Sequence, residues 1–191
     1  MADTGFASLS SARLILRRLR DSDLPTFCRY RSDPRVAQYQ HWVAFPEEDG
    51  LRFFAEQAKL HPDMPGTWFQ MAIELAETGE LIGDCGLHAL PDQPRQVEIG
   101  FTLSPDHQGK GYATEAVACL LDYVFGRLDK HRALAITDAR NAPAARVLER
   151  LGMRREGHFL QNGWFKGGWG DEYVYALLER EWREARGSSI P

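Results

Sequence analysis

Cysteine is scarce in this 191-residue sequence, and its spacing suggests no structural role. Cys28, Cys85 and Cys119 form neither a CxxC pair nor an even-numbered framework, and the six histidines show no metal-ligand spacing. Free cysteine is usually a small buried hydrophobe. The pattern excludes a disulfide scaffold and a zinc ribbon, and we predict neither a metal site nor acyl-cysteine chemistry.

Long apolar runs are also missing. No stretch approaches the roughly 18 apolar residues that span a bilayer, and residues 1–5 lack the charged and apolar regions of a signal peptide. The formal net charge of −4 argues against a surface that coats nucleic acid. We therefore expect a cytoplasmic protein that binds neither membrane nor nucleic acid.

Apolar residues are plentiful: 43% of the sequence is hydrophobic and 11% is aromatic. Their periodicity predicts an α+β domain with a mixed sheet. The predicted strands are residues 12–19, 67–75, 81–88, 96–103, 131–138, 154–161 and 171–179. The predicted helices begin at Asp21 and Pro46 and span residues 111–128 and 143–151. We predict a single domain over residues 1–186 and a flexible C-terminal tail over residues 187–191.

Two glycines, Gly109 and Gly111, lie between a predicted strand that ends at Leu103 and a predicted helix. Such a turn leaves several backbone N–H groups unpaired at the positive end of the helix dipole, which is the chemistry of an anion site. Without side chains, both positions would let a diphosphate approach the main chain. The alternative is a plain glycine-rich turn, and the spacing excludes the P-loop and dinucleotide-binding motifs.

Several ordered segments together resemble the GNAT (GCN5-related) N-acetyltransferases. Residues Gln108-Gly109-Lys110-Gly111-Tyr112-Ala113 match that family's Q/R-x-x-G-x-G/A acyl-CoA loop. Residues 97–103 resemble the strand before the loop, and residues 141–153 resemble the family's Asn and Leu-Gly segment. Residues 13–17 and 171–178 are similar to the branch that contains the ribosomal-protein-alanine acetyltransferases RimJ and RimL. The resemblance extends over about residues 12–182.

The resemblance implies the GNAT fold, a mixed and mostly antiparallel sheet splayed between its fourth and fifth strands, with helices on both faces. It also implies acetyl-CoA as co-substrate and no metal. The pantetheine arm would lie between residues 99–103 and 136–138, where N–H groups of Phe101, Thr102 and Leu103 would face the thioester carbonyl. The diphosphate would lie on Gln108, Gly109, Lys110, Gly111, Tyr112 and Ala113. Asn141 would bond the pantetheine or, equally, cap the helix that follows.

Glu98 matches the family's acid on the splayed strand and is the predicted catalytic residue. An amine attacks only when it is neutral, so a carboxylate beside the acceptor can take its proton directly or through water. The alternative is an ordinary solvent-facing glutamate. The sequence departs from the family at the leaving group, where Leu148 replaces a common Tyr and Ala144 a common Ser. The departing thiolate could then be protonated by Tyr112 or by a water, or it could leave without an acid.

The acceptor site is the least defined part of the prediction. Residues 161–170 place three aromatic side chains among four glycines, a composition that suits either wrapping a flat ligand or covering a sheet edge. The net charge mildly favours amine-bearing acceptors. The predicted substrate-binding residues are Trp42, Phe45, Trp164, Trp169 and Asp171.

The sequence thus predicts an acetyl-CoA-dependent N-acetyltransferase that acetylates a primary amine by direct attack in a ternary complex. The acceptor would be a protein N-terminus or a small-molecule amine, such as an antibiotic, a polyamine or an amino-acid derivative. A non-catalytic acyl-CoA-binding module is the alternative, for which the apolar Ala144 and Leu148 are the support. The chain could act as a monomer or a homodimer.

Overall fold

Eight strands and six α-helices follow one another along residues 5–187, the part of the chain that the computed structural model describes. The strands are β1 (Ser8–Ser10), β2 (Leu14–Arg18), β3 (Trp68–Leu75), β4 (Leu81–Ala89), β5 (Gln96–Leu103), β6 (Arg132–Asp138), β7 (Arg154–Phe165) and β8 (Gly168–Leu178). The helices are α1 (Leu24–Arg31), α2 (Pro34–Ala37), α3 (Glu47–Gln57), α4 (Tyr112–Gly126), α5 (Ala142–Arg150) and α6 (Glu179–Gly187).

One mixed sheet contains all the described strands, in the order β1-β2-β3-β4-β5-β6-β8-β7. Neighbours β5 and β6 are parallel, and the other neighbouring pairs are antiparallel. The sequence does not predict β1, so the predicted fourth and fifth strands are β5 and β6. The predicted α+β fold with a mostly antiparallel sheet is confirmed.

The sheet opens between β5 and β6. Their pairing runs from Gln96 opposite Arg132 only to Glu98 opposite Leu134, whereas β5 continues to Leu103 and β6 to Asp138. The facing main-chain edges beyond Glu98 and Leu134 are not paired with each other. This gap confirms the predicted splay, and an extended ligand can pair with such strand edges.

Helices cover both faces of the sheet, as predicted. On one face α4 places Val117, Leu120 and Val124, all fully buried, in the main hydrophobic core, because their spacing forms one apolar stripe. On the other face α1 and α3 contribute Phe27 and Phe54 to a smaller cluster. The gap, which is an opening in the sheet, therefore lies between two layers of helices.

The Asp33-Pro34 step ends α1 but also begins a helix that the sequence analysis missed. The Asp33 side chain accepts a hydrogen bond from the backbone N–H of Arg35, 2.8 Å away, and Pro34 occupies the first turn of α2. An Asp cap followed by Pro is a helix-start signal. This short helix carries the chain toward the gap, where Tyr39 and Gln40 line its opening.

Of the two interpretations of the glycine- and aromatic-rich segment 161–170, a ligand-wrapping loop or a hairpin at the sheet edge, the structure shows the hairpin. Strand β7 extends to Phe165 and β8 begins at Gly168. The turn between them is the pair Lys166 and Gly167, both with positive φ (53° and 78°), as in the two-residue turns that match strand twist. The segment is a long hairpin, not an adaptable loop.

At the C-terminus the chain forms α6, which the sequence analysis also missed. Trp182 is buried in the main core, and its indole N–H donates to Asp122 at 2.9 Å. Arg186 and Gly187 belong to this helix, and the rest of the predicted flexible tail, residues 188–191, lies outside the described residues. The first four residues, which entered the signal-peptide argument, lie outside them as well.

Candidate active site

Two cavities meet at the gap between β5 and β6. One has a volume of about 560 Å³ and lies beside the N-terminus of α4. The other has a volume of about 610 Å³ and lies over the sheet face covered by α1 and α3. The residues that line both are Tyr39, Gln40, Phe101, Thr102, Asn141 and Ala144. We call them the loop cavity and the sheet cavity.

The glycine-rich turn forms one wall of the loop cavity. Gly109 and Gly111 have φ of 76° and 82°, which is the left-handed region that favours glycine, and Gly111 directly precedes the 15-residue helix α4. Arg35, Arg146 and Arg150 line the same cavity, and its described lining contains no carboxylate. Helix N-terminus, positive φ and guanidinium groups together make a site suited to a polyanion such as a diphosphate.

Side-chain hydrogen bonds to two main-chain carbonyls hold the turn in place. Gln108 donates its side-chain amide to the Leu103 carbonyl at 3.1 Å, and Arg13 donates to the Lys110 carbonyl at 3.2 Å. The Arg13 guanidinium also lies 4.5 Å from the centre of the Tyr112 ring. Of the predicted cofactor-binding residues, Lys110 alone does not line the cavity; its main chain shapes the turn.

Asn141 caps helix α5. Its side-chain oxygen accepts a hydrogen bond from the Ala144 N–H at 3.2 Å, and the residue lines both cavities. The structure therefore shows the capping role that the sequence left as one of two interpretations.

Glu98 lies in the sheet cavity, at the last paired position before the strands separate. Its side chain is 21% exposed, and its Oε2 lies 3.7 Å from Nδ1 of His88 on the neighbouring strand. Burial raises the pKa of the Glu98 carboxyl, His88 opposes this effect, and the charge of Glu172 adds to the rise. A carboxyl with a raised pKa beside a substrate cavity suits a general base.

Trp68 forms part of the floor of the sheet cavity. Its indole stacks on the His88 ring with centroids 5.0 Å apart and planes 17° apart. A Cβ built at Gly86 would come within 2.9 Å of this indole, and one at Gly100 within 3.6 Å. Gly86 thus leaves the space that the indole occupies, whereas a Cβ at Gly100 would only be in ordinary van der Waals contact with it.

A buried ion pair lies at the other end of the same cavity. Arg31 donates to Asp84 at 2.8 Å, and the Asp84 side chain is fully buried. Gln70 and the Tyr30 hydroxyl also donate to this carboxylate, and the Arg31 guanidinium packs over the Phe27 ring at 4.3 Å. The network fixes one wall of the cavity and leaves Asp84 fully occupied.

The position of the leaving group is apolar, as the sequence indicates. Ala144 and Leu148 both line the sheet cavity, and Leu148 is 1% exposed. Tyr39 lines both cavities, whereas Tyr112 lines the loop cavity.

Burial raises the pKa of the Cys119 thiol to about 11, which suits a core residue and not a nucleophile.

The structure separates the predicted substrate-binding aromatics. Trp42 lines the sheet cavity, but Phe45 does not, because its ring packs against Phe27 at 5.6 Å in the aromatic cluster beneath. Trp164 and Trp169 are each 60% exposed and contact one another at 5.2 Å, outside both cavities. The hairpin places Phe165 at the sheet cavity instead, because side chains alternate along a strand.

Asp171, a predicted substrate-binding residue, lines neither cavity and instead holds the hairpin. Its carboxylate accepts a hydrogen bond from the Gln161 N–H at 2.8 Å, where the β7 register shifts and Gln161 has a φ of 49°. His158 lies 3.4 Å from the same carboxylate. Its neighbour Glu172 is the acid that lines the sheet cavity.

Sequence reasoning missed several lining residues. Trp68, His88 and Glu172 appeared only as members of strands, and the arginines of the loop cavity were assigned no role. Alternation along β3, β4 and β5 does place Trp68, His88 and Glu98 on one face. That signal was present in the sequence, but it needed the strand register.

Residues 5–187 contain neither a cluster of metal-ligating side chains nor a helix that could span a membrane. No group of three or more His, Cys, Asp or Glu side chains that could hold a metal ion occurs within this range. In the same range, no helix has the length and apolar character needed to cross a membrane.

The splayed α+β sheet thus has a cavity whose charged lining residues are arginines and a cavity whose charged lining residues are mainly carboxylates, and the two meet at one gap. The family model described as the acetyltransferase (GNAT) domain matches residues 13–154. The protein therefore belongs to the GNAT family of N-acetyltransferases, enzymes that use acetyl-CoA as the acetyl donor.

Known proteins resemble nearly the whole chain. The uncharacterized N-acetyltransferase p20 of Bacillus licheniformis is 33% identical over 175 residues, which cover 92% of this chain and 98% of p20. The spermidine N(1)-acetyltransferase of Escherichia coli (strain K12) is 27% identical over 152 residues, or 80% of this chain and 78% of that enzyme. A GNAT-family acetyltransferase from Bacillus anthracis has a TM-score of 0.83 and 32% identity, with 91% of this chain and 99% of that chain covered.

Proposed function

We propose that the protein transfers an acetyl group from acetyl-CoA to a primary amine of a cationic acceptor. The supporting observation is the charge contrast across the gap. Arginines line the loop cavity without a carboxylate, whereas four carboxylates and a single arginine are among the described residues of the sheet cavity. A polyanionic donor and a cationic acceptor would therefore enter from opposite sides and meet between β5 and β6.

The loop cavity fits the donor. The N–H groups around Gly109 and Gly111 at the start of α4 would hold the diphosphate, and a Cβ at either glycine would add strain at positive φ. The edge of β5 from Phe101 to Leu103 would pair with the pantetheine arm. Its main-chain N–H groups would stabilise the negative charge that develops on the thioester oxygen.

Glu98 is the proposed general base. An acceptor ammonium in the sheet cavity would lose a proton to the Glu98 carboxylate, directly or through water, and the neutral amine would attack the thioester carbon. The C–N bond forms, the C–S bond breaks, and the second amine proton passes to the departing thiolate or to water. A thiol pKa near 8.5 makes the thiolate an adequate leaving group without a side-chain acid, which is compatible with apolar Ala144 and Leu148.

Among amines, we favour a small-molecule acceptor with more than one positive charge. Of the four acids in the sheet cavity, Asp84 is paired with Arg31 and Asp138 with Arg140. Glu98 faces a histidine, and Glu172 accepts a hydrogen bond from the Asn162 amide. Two carboxylates without an arginine partner suit a polyamine, and the name of the Escherichia coli relative supports the same class.

The test combines binding and turnover. Acetyl-CoA should raise the melting temperature by mass action, whereas NAD and ATP should do little at equal concentration. Thiol release is then followed with polyamines, amino-acid derivatives and N-terminal peptides. Glu98→Gln should lower kcat by roughly 10²- to 10⁴-fold and leave the acetyl-CoA shift intact.

Glu156→Gln is the matched control, because Glu156 lies on a strand outside both cavities. If only the N-terminal peptides were acetylated, the acceptor class would be protein N-termini and not polyamines. Acetyl-CoA binding without transfer to any amine would favour the non-catalytic module. Near-wild-type turnover of Glu98→Gln would remove the base assignment.

A further inference from the structure

His88 and Glu98 form a pair that the transfer reaction described above does not use. We propose that His88 is a positioning residue, which directs the Glu98 carboxylate toward the acceptor and keeps it ionised. The proposal rests on the proposed function, because it takes Glu98 as the base. It adds a residue on a neighbouring strand whose role is separate from binding either substrate.

The sheet register places the two side chains together. His88 and Glu98 are directly opposed across β4 and β5, on the same face and in the same cavity. Cross-strand partners at such positions interact through side chains with Cβ atoms roughly 5 Å apart. His88 Nδ1 lies 3.7 Å from Glu98 Oε2, a separation that a small side-chain rotation shortens to a hydrogen bond.

The imidazole has an unused polar atom directed at Glu98. Nδ1 of His88 is buried and has no hydrogen-bond partner, although buried polar atoms are nearly always paired. Only Glu98 forms an ion-pair contact with this histidine among the described residues. Glu98 is therefore the group with which the unpaired Nδ1 of His88 can form a hydrogen bond.

Trp68 restricts the orientation of the imidazole. The two rings are stacked 17° from parallel, and Trp68 is the cross-strand partner of His88 on the other side, along β3. The ring therefore lies between an aromatic face and a carboxylate. A stacked ring loses little rotamer freedom when it donates to the carboxylate, which is the usual advantage of preorganisation.

The other charged groups around the pair do not replace His88. Glu172 faces Glu98 from β8 and raises the pKa of its carboxyl. Arg31 of α1 is the cation in the sheet cavity, but it is bound to Asp84 of β4. Burial also raises the pKa of the Glu98 carboxyl, and His88 is the group that lowers it.

Loss of His88 should therefore raise the pKa of Glu98 further and reduce the fraction of ionised base at a given pH. Because the base must be ionised to take the ammonium proton, the plot of log kcat/KM against pH should rise with a slope of one below the carboxyl pKa and level off above it. The break between the rise and the plateau marks Glu98. Without His88 the break should move to higher pH.

The central test is His88→Phe, which keeps an aromatic ring against Trp68 and removes both ring nitrogens. We expect kcat to fall roughly 10- to 100-fold, less than the 10²- to 10⁴-fold that loss of the base itself would cost, with little change in acetyl-CoA binding by thermal shift. His88→Asn restores a donor near the carboxylate and should recover part of kcat. The Asn variant also covers the case in which the Phe variant folds poorly.

A double variant separates this proposal from the proposed function. In a Glu98→Gln background His88→Phe should cause no further loss, because the histidine acts through the carboxylate. His158→Phe is the matched control, since His158 is also paired with a carboxylate, Asp171, but lies outside both cavities.

An unmoved break and wild-type kcat in His88→Phe, with Glu98→Gln inactive, would overturn the role of His88 alone. Full additivity in the double variant would also overturn it. Wild-type turnover by Glu98→Gln would instead overturn the base on which the proposal rests.

Discussion

Arg31 and Asp84 form an ion pair at 2.8 Å in which the aspartate side chain is fully buried and the arginine side chain is 7% exposed. The pair joins α1 to β4 at the wall of the sheet cavity. Burial raises the pKa of the Tyr30 hydroxyl well above its ordinary value, and the Asp84 charge adds to the rise. Tyr30 therefore acts as a neutral donor to Asp84, and the network is closed.

Asp84→Asn should be strongly destabilising. The substitution leaves a buried guanidinium without its counter-charge, which costs on the order of 3–5 kcal/mol. The expected result is a large fall in melting temperature and in the midpoint of urea unfolding. Glu48→Gln is the control, because the Glu48–Arg52 pair is exposed and should matter little. Equal effects of the two variants would mean that the buried pair contributes nothing special to stability.

Gly111→Asp should abolish acetyl-CoA binding. The new carboxylate would repel the diphosphate at the start of α4. Gly79→Asp is a matched control, since Gly79 has a similar φ of 72° in a hairpin turn and open space around its Cβ. Both variants should lose about 1–2 kcal/mol of stability from the backbone conformation, but only Gly111→Asp should lose the thermal shift. If acetyl-CoA still raised the melting temperature of Gly111→Asp, the turn would not be part of the donor site.

Phe165→Ala should raise the acceptor KM, while Trp164→Ala should not. Phe165 lines the sheet cavity, and Trp164 lies outside it on the same strand. Loss of an aromatic contact with a ligand costs roughly 1–3 kcal/mol, or about 5- to 150-fold in KM if binding is uniform. Steady-state kinetics at saturating acetyl-CoA measure both variants. The reverse ranking would restore the acceptor role that the sequence suggested for Trp164 and Trp169.

Glu156→Gln should reduce stability at neutral pH but not in strong acid. Hydrogen bonds from Arg132, with a second contribution from Arg154, lower the pKa of the Glu156 carboxyl to about 2. A carboxyl whose folded-state pKa is lowered stabilises the fold above its unfolded pKa, roughly 4.3. That stabilisation is lost as the pH falls from about 4.3 through 2.

The Glu156 carboxylate is partly exposed, so solvent screening limits the expected difference in melting temperature at pH 7 to a few degrees. Thermal melts of wild type and variant at several pH values should converge toward pH 2. A difference that persists unchanged in acid would assign the effect to packing instead of charge.

Local signals in the sequence determined much of the fold. Alternation predicted β5 at residues 96–103, the bounds that the structure shows. The apolar spacing of α4 predicted the stripe that enters the core. These elements are predictable because their side-chain period follows directly from backbone geometry. Ordered motifs from Arg13 to Met153 were likewise enough to indicate the family and the splayed sheet.

The sequence was least informative where the outcome depended on which strands become neighbours. Trp164 and Phe165 are adjacent and both aromatic, yet only Phe165 lines the cavity, because the two-residue turn at Lys166 and Gly167 sets the register of the hairpin. Phe45 was assigned to the acceptor on position alone, and tertiary packing placed it against Phe27.

By itself, then, the sequence determined most of the elements, the family and the glycine turn, because each depends on residues that are close along the chain. Only the tertiary structure placed Trp68, His88 and Glu98 side by side, although they lie on three different strands. It also decided that Asp171 holds the hairpin while Glu172 faces the cavity. The physical reason is that a site is formed by strand register and side-chain direction, and both are fixed by pairing between distant segments.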